Sequence, residues 1–154
     1  LNLIAAGRVV LLTVPQVAGS HLWFILTDPD PAFSDRVVAV MLVTPKPHTD
    51  KTITLLPGDH PFITHESNVD YGGATFVSSV RLSTAIRNGK GVIQADAPAK
   101  LLRTLRAGLL TSPRVVNEVA EYCRALQCFQ DLKPLPTPIS PPPVAPSSGE
   151  SSTP

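Results

Sequence analysis

The sequence predicts an α+β fold, a small curled antiparallel sheet or barrel with helices packed at one end. Three observations carry this. β-branched and aromatic runs crowd the first half with no helical periodicity between them, leucines at helical spacing arrive only after residue 96, and prolines and serines dominate the last twenty residues. Strands first and helices last, in a single chain of this length, is the pattern of one sheet with its helices segregated to one side or end.

The elements follow in order. Arg8 to Val14 is a β-branched run stopped by Pro15, and His21 to Thr27 is a second, stopped by Asp28-Pro-Asp-Pro31. Arg36 to Thr44 is a third, ended by Pro45-Lys-Pro47, and Thr52 to Leu56 alternates polar and apolar residues as a short fourth. Close spacing without intervening helices predicts an antiparallel meander. A fifth strand is expected over Ala74 to Val80, followed by a helical turn at Ser83 to Arg87 that Asn88-Gly89 ends. Asp96 is placed to cap a helix with Pro98 in its first turn and Leu101, Leu102, Leu105 and Leu109 on its core face; Gly108 weakens its end. Ser112-Pro113 opens a second helix with Val116, Val119, Ala120 and Cys123 as its apolar stripe.

One domain over residues 1–130 is expected, with a disordered Pro/Ser-rich tail over 131–154, because prolines delete backbone donors there and too few apolar residues remain to build a core. A formal net charge of +1 excludes a uniformly basic nucleic-acid platform. The charge is uneven, however: Arg81, Arg87, Lys90, Lys100, Arg103, Arg106 and Arg114 share their stretch with the single acid Asp96. That stretch reads either as solvated helix faces or as a phosphate-facing surface on which Arg81, Arg87, Lys90, Lys100, Arg103 and Arg106 grip nucleic acid. Cys123 and Cys128 fit neither a zinc knuckle nor a redox pair, so reduced thiols and a cytoplasmic setting are expected. No apolar run reaches membrane-spanning length, and Leu1 to Leu12 lacks the basic lead and small-residue site of a signal peptide.

The segment from Leu56 to Tyr71 gathers His60, His65, three carboxylates, Ser67 and Tyr71 around a Pro-Gly turn, and its two imidazoles are of the type that exchanges protons near neutral pH. In Gly58-Asp59-His60-Pro61-Phe62 the proline fixes the chain just after the imidazole, and two histidines five positions apart supply an acid and a base. The competing reading makes Asp59 an Asx turn and His60 a turn residue. A metal site is disfavoured, because no His-Glu-x-x-His helix exists and the cysteines lie far off, so neither metal nor cofactor is expected; a serine triad lacks its Gly-x-Ser-x-Gly elbow. His21 and Thr44 fall at strand ends, where side chains reach a shared cleft, whereas His48 sits in an exposed connection and is left out of the site.

Gly7-Arg-Val-Val-Leu-Leu, then Gly19-Ser-His-Leu-Trp-Phe-Ile-Leu-Thr27, then Val37-Val-Ala-Val-Met-Leu-Val-Thr44-Pro and two late helices together resemble the PemK/MazF-like toxin superfamily over residues 7–125. The resemblance implies an SH3-like barrel, a homodimer, an antitoxin partner, and metal-independent cleavage of single-stranded RNA. Thr44 matches the Thr or Ser that ends the family's third strand and helps hold the scissile phosphate. The family's catalytic Arg falls on His21, which transfers protons but lacks the bidentate fork. His60 or His65 is then the expected general base, His21 the acid, and Tyr71 or Trp23 a stacking surface for a base. Loss of the Arg favours the rival reading, a non-catalytic module that grips nucleic acid or a protein partner on the same barrel. A third reading gives the tail the function, docking through Pro138 to Pro141 in an aromatic groove.

Overall fold

A computed structural model describes residues 3–13 and 19–132. Three runs pair in succession, β1 (Val9–Thr13), β2 (Ser20–Ile25) and β3 (Arg36–Val43), each antiparallel to the next. Between β2 and β3 a 3-10 turn at Pro31–Phe33 is capped by Asp30, whose carboxylate accepts the Ala32 N–H at 2.9 Å. Here the expected meander stops. The fourth strand, β4 (Thr54–Leu55), pairs not with β3 but with β5 (Ser67–Ser78), which itself lies against β3. Helix α1 (Ser79–Arg87) then carries the chain to the far edge, where β6 (Gly91–Gln94) pairs with β1. The result is a curled six-stranded antiparallel half-barrel in the order β4-β5-β3-β2-β1-β6, followed by α2 (Ala99–Thr111), α3 (Asn117–Arg124) and α4 (Gln127–Gln130).

Both faces of the sheet are buried. Leu22, Phe24, Val38, Val40 and Val69 meet Leu101, Leu105 and Leu109 of α2, Val119 and Cys123 of α3 and Phe129 of α4 on the larger face. On the other face Ile25, Val37 and Ala39 meet Ile4 and Leu82, with Trp23 and Ile86 packed against them. Burial on two sides explains why β3 reads as a nearly unbroken apolar run rather than an alternating one. Arg106 of α2 clamps the layers: its Nε donates to the Leu26 carbonyl at 2.9 Å and its guanidinium lies over the Phe129 ring.

Several expected boundaries shift, each for a physical reason. β5 begins at Ser67 instead of Ala74, because a register shift opposite Ala39 and Met41 lets Val69, Tyr71 and Ala74 all face the same core and so erases the period-2 signal. β6 has no alternating pattern in its four residues and escaped prediction. Asp96 does not cap α2. It pairs with Arg8 at 3.4 Å, and Pro98 occupies the cap position with no side-chain bond. Ser112 closes α2 rather than opening the next helix, which starts at Asn117. Gly108, expected to weaken α2, is required there: a Cβ would stand 2.2 Å from the Tyr71 hydroxyl oxygen. The Pro/Ser-rich tail lies outside the described residues from 133 onward.

Candidate functional site

At one end of the sheet, β2 starts where β3 finishes, and the two connections flanking β4 close over that gap. Ser20, His21, Val43, Thr44, Lys46, His48, Phe62 and His65 are among the residues that line the resulting cleft of about 550 Å3. Antiparallel pairing of β2 with β3 is what brings His21 beside Val43 and Thr44, residues more than twenty positions apart. The Nε2 of His21 is buried and, among the described residues, has no hydrogen-bond partner. A buried, unsatisfied imidazole nitrogen is costly in a structural role and useful in a binding one. His65 and Phe62 are exposed on the connection that enters β5, with His65 Nδ1 3.4 Å from the Thr64 hydroxyl.

His48 arrives by a longer chain of support. Lys46 to Thr49 is a tight turn, closed by the Thr49 N–H on the Lys46 carbonyl at 3.1 Å and by the Thr49 hydroxyl on the same carbonyl at 2.8 Å. Arg114, just past α2, donates to the His48 carbonyl at 2.7 Å. Behind the turn, Asp50 is buried and accepts from the Thr52 N–H, the Thr52 hydroxyl and, at 2.6 Å, the Ser112 hydroxyl. Burial by itself would raise the Asp50 carboxyl. The Ser112 and Thr52 hydrogen bonds, with the Arg114 charge behind them, outweigh it and hold the carboxyl below the usual carboxylate range. The end of α2 therefore fixes the turn that carries His48.

Of the residues selected from sequence, His21, Thr44 and His65 share the cleft and His60 and Tyr71 do not. His60 is 1% exposed, packs edge-on to Phe24, and spends both ring nitrogens internally. Its Nδ1 accepts the Phe62 N–H at 3.1 Å, which leaves the proton on Nε2 to be donated to the Ala95 carbonyl at 2.6 Å. Such a ring cannot serve as a general base; it is a brace that ties the Pro61-Phe62 turn to the segment before α2. Tyr71 is fully buried and donates to the Leu105 carbonyl at 2.8 Å. Burial, reinforced by the Asp50 charge, pushes its hydroxyl far above the ordinary phenol range, so it holds its proton.

The basic residues are also divided. Arg81 and Arg87 lie on α1 and Lys90 just after it, against one face of the sheet, whereas Lys100, Arg103 and Arg106 belong to α2 on the other. None lines the cleft, and Arg106 is occupied by Leu26 and Phe129. Lys46 is the cation that does. Reasoning from sequence missed Lys46, Phe62 and His48. Lys46 and His48 sit in Pro45-Lys-Pro-His-Thr-Asp50, which read as a solvent-exposed connection, and the loop of Phe62 was read for its histidine alone. Among the described residues no three His, Cys, Asp or Glu side chains converge closely enough to hold a metal ion, and none of the helices is long and apolar enough to cross a membrane. Comparison with known proteins gave no match to a family model, to a curated protein or to a solved structure.

Proposed function

We propose that the cleft binds single-stranded RNA and cuts it without a metal ion, as the likeness to PemK/MazF-like toxins implies. The observation that supports this most is the meeting of three imidazoles, His21, His48 and His65, with Thr44 and Lys46 in one cleft. Transesterification needs one imidazole to accept a proton while another donates one. In this reading the exposed His65 takes the ribose 2′-hydroxyl proton, the 2′-oxygen attacks the adjacent phosphorus, and the bond to the 5′-oxygen breaks. His21 gives its proton to that leaving oxygen. The products are a 2′,3′-cyclic phosphate and a free 5′-hydroxyl. Thr44, Lys46 and His48 hold the phosphate, and Phe62, 43% exposed at the rim, offers a face on which a base stacks in place of Tyr71. The finer fold reading, an SH3-like barrel, belongs to the same proposal, as do the antitoxin partner, the homodimer and the cytoplasmic setting.

Incubating the full chain with labelled single-stranded RNA and EDTA tests it. Cyclic-phosphate ends are the expected product, with His21→Ala and His65→Ala each lowering the rate by about 10²- to 10⁴-fold. Undiminished cleavage by the double variant removes the mechanism. RNA that is retarded but intact, with retardation weakened by Lys46→Ala, establishes the non-catalytic module instead, a reading favoured by the His at the position of the family's Arg.

A further inference from the structure

A second notch lies at the opposite end of β3 from Thr44. Its lining is Ser34, Arg36, Phe76, Val77, Ser78 and Arg81, and its volume is about 570 Å3. The pairing of β3 with β5 sets Arg36 directly across from Ser78, which is also the N-cap of α1. The Ser78 hydroxyl oxygen accepts the Arg81 N–H at 3.2 Å, so Arg81 projects from the first turn of the same helix. Two arginines thus border one depression.

Neither has a neutralising partner. Among the described residues the sole ion pair joins Arg8 to Asp96, so no carboxylate, that of neighbouring Asp35 included, lies within 4.0 Å of Arg36 or Arg81. Asp30, the other acid of this corner, already accepts from the Ala32 N–H and, at 2.7 Å, from the Tyr122 hydroxyl. Arg36 stacks on the Phe33 ring, its guanidinium carbon 4.9 Å from the centroid. Stacking engages the face of the guanidinium and leaves its N–H edge unused, so the fork is oriented but not consumed.

We propose that this notch binds the phosphate group of a phosphorylated organic molecule. Arg36 supplies a bidentate edge, Arg81 a second positive charge, and the Ser34 and Ser78 hydroxyls single donors. A phosphomonoester carries close to two negative charges near neutral pH and three acceptor oxygens, which suits two guanidinium groups better than a carboxylate does. The notch exceeds the size of a bare phosphate, and Phe76 and Val77 border the remainder, where the organic part rests. The partial positive charge at the start of α1 adds to the attraction without defining the site. Nothing in this inference depends on the histidine cleft.

Amide NMR of the full chain, titrated at constant ionic strength with inorganic phosphate, with 5′-AMP, with adenosine and with a single-stranded RNA bearing a 5′-hydroxyl, tests the assignment. Saturable shifts at Arg36 and at Ser78 to Arg81 are expected with phosphate and, more tightly, with 5′-AMP, and none with adenosine. The Arg36→Gln/Arg81→Gln pair weakens both by about tenfold or more at an unchanged melting temperature, whereas His21→Ala/His65→Ala leaves them intact. Shifts no larger than those from chloride at matched ionic strength overturn the proposal, as does equal affinity in the arginine double variant. Shifts produced by the RNA alone assign the notch to a polymer backbone and overturn the phosphomonoester.

Discussion

His60 and His65 stand five positions apart and have opposite fates. Removing the His60 ring strips partners from the Phe62 N–H and the Ala95 carbonyl and opens a hole against Phe24. His60→Ala is therefore expected to cost roughly 2–4 kcal/mol of stability, read as a lowered urea midpoint. His65→Ala, at an exposed position, should stay within about 0.5 kcal/mol of the parent while losing cleavage. Equal midpoints for the two variants would refute the assignment of His60 as a structural brace. Residue type alone did not separate them, since an imidazole is equally at home as a core hydrogen-bonding unit and as a proton carrier; what decides is whether both nitrogens find backbone partners.

At the scale of elements, the end of α2 is coupled to the cleft through Ser112, Asp50 and the turn bearing His48. Because the folded Asp50 carboxyl is depressed, its contribution to stability is fully present above the unfolded carboxylate pKa of about 3.9 and is lost as pH falls through the lower folded value. Denaturation midpoints of the parent should thus decline below about pH 4 more steeply than those of Asp50→Asn. At pH 7 the variant should be the less stable, by about 1–3 kcal/mol. Parallel acid limbs for the two proteins would show that Asp50 is not the group responsible. The sequence placed α2 and its leucine face well, whereas Ser112-Pro113 looked like a helix start because a Ser before a Pro is an ordinary opening signal. Its hydroxyl was instead claimed by an acid 62 positions away.

Over the whole molecule, helices on both faces protect the middle of the sheet and leave its edges thin. β4 has two residues and β6 four, and among the described residues each pairs on one side only. Amides of Phe24 and Val40 should exchange with solvent only through global unfolding, while those of β6 exchange through local opening, roughly 100-fold faster or more. Equal protection of β6 and β3 would mean that the open edge of the half-barrel is covered in solution. The same layering disperses the basic stretch. A run of cations that looks like one surface along the chain is split, because α1 and α2 pack against opposite sides of the sheet.

What the chain determines locally is the type of most of its elements, since β-branched runs, helical leucine spacing and proline stops act over a few residues, and it also marks His21 and Thr44 as residues at the ends of strands. Which imidazoles meet was settled by folding. The meander anticipated the pairing of β2 with β3, but the bulge that gave β5 its register and the anchoring of the His48 turn by α2 are contacts between distant segments, and no local pattern encodes them. Burial of His60 and the entry of the exposed His48 into the cleft follow from those contacts, because what packs over or beside a side chain is not set by its neighbours along the chain.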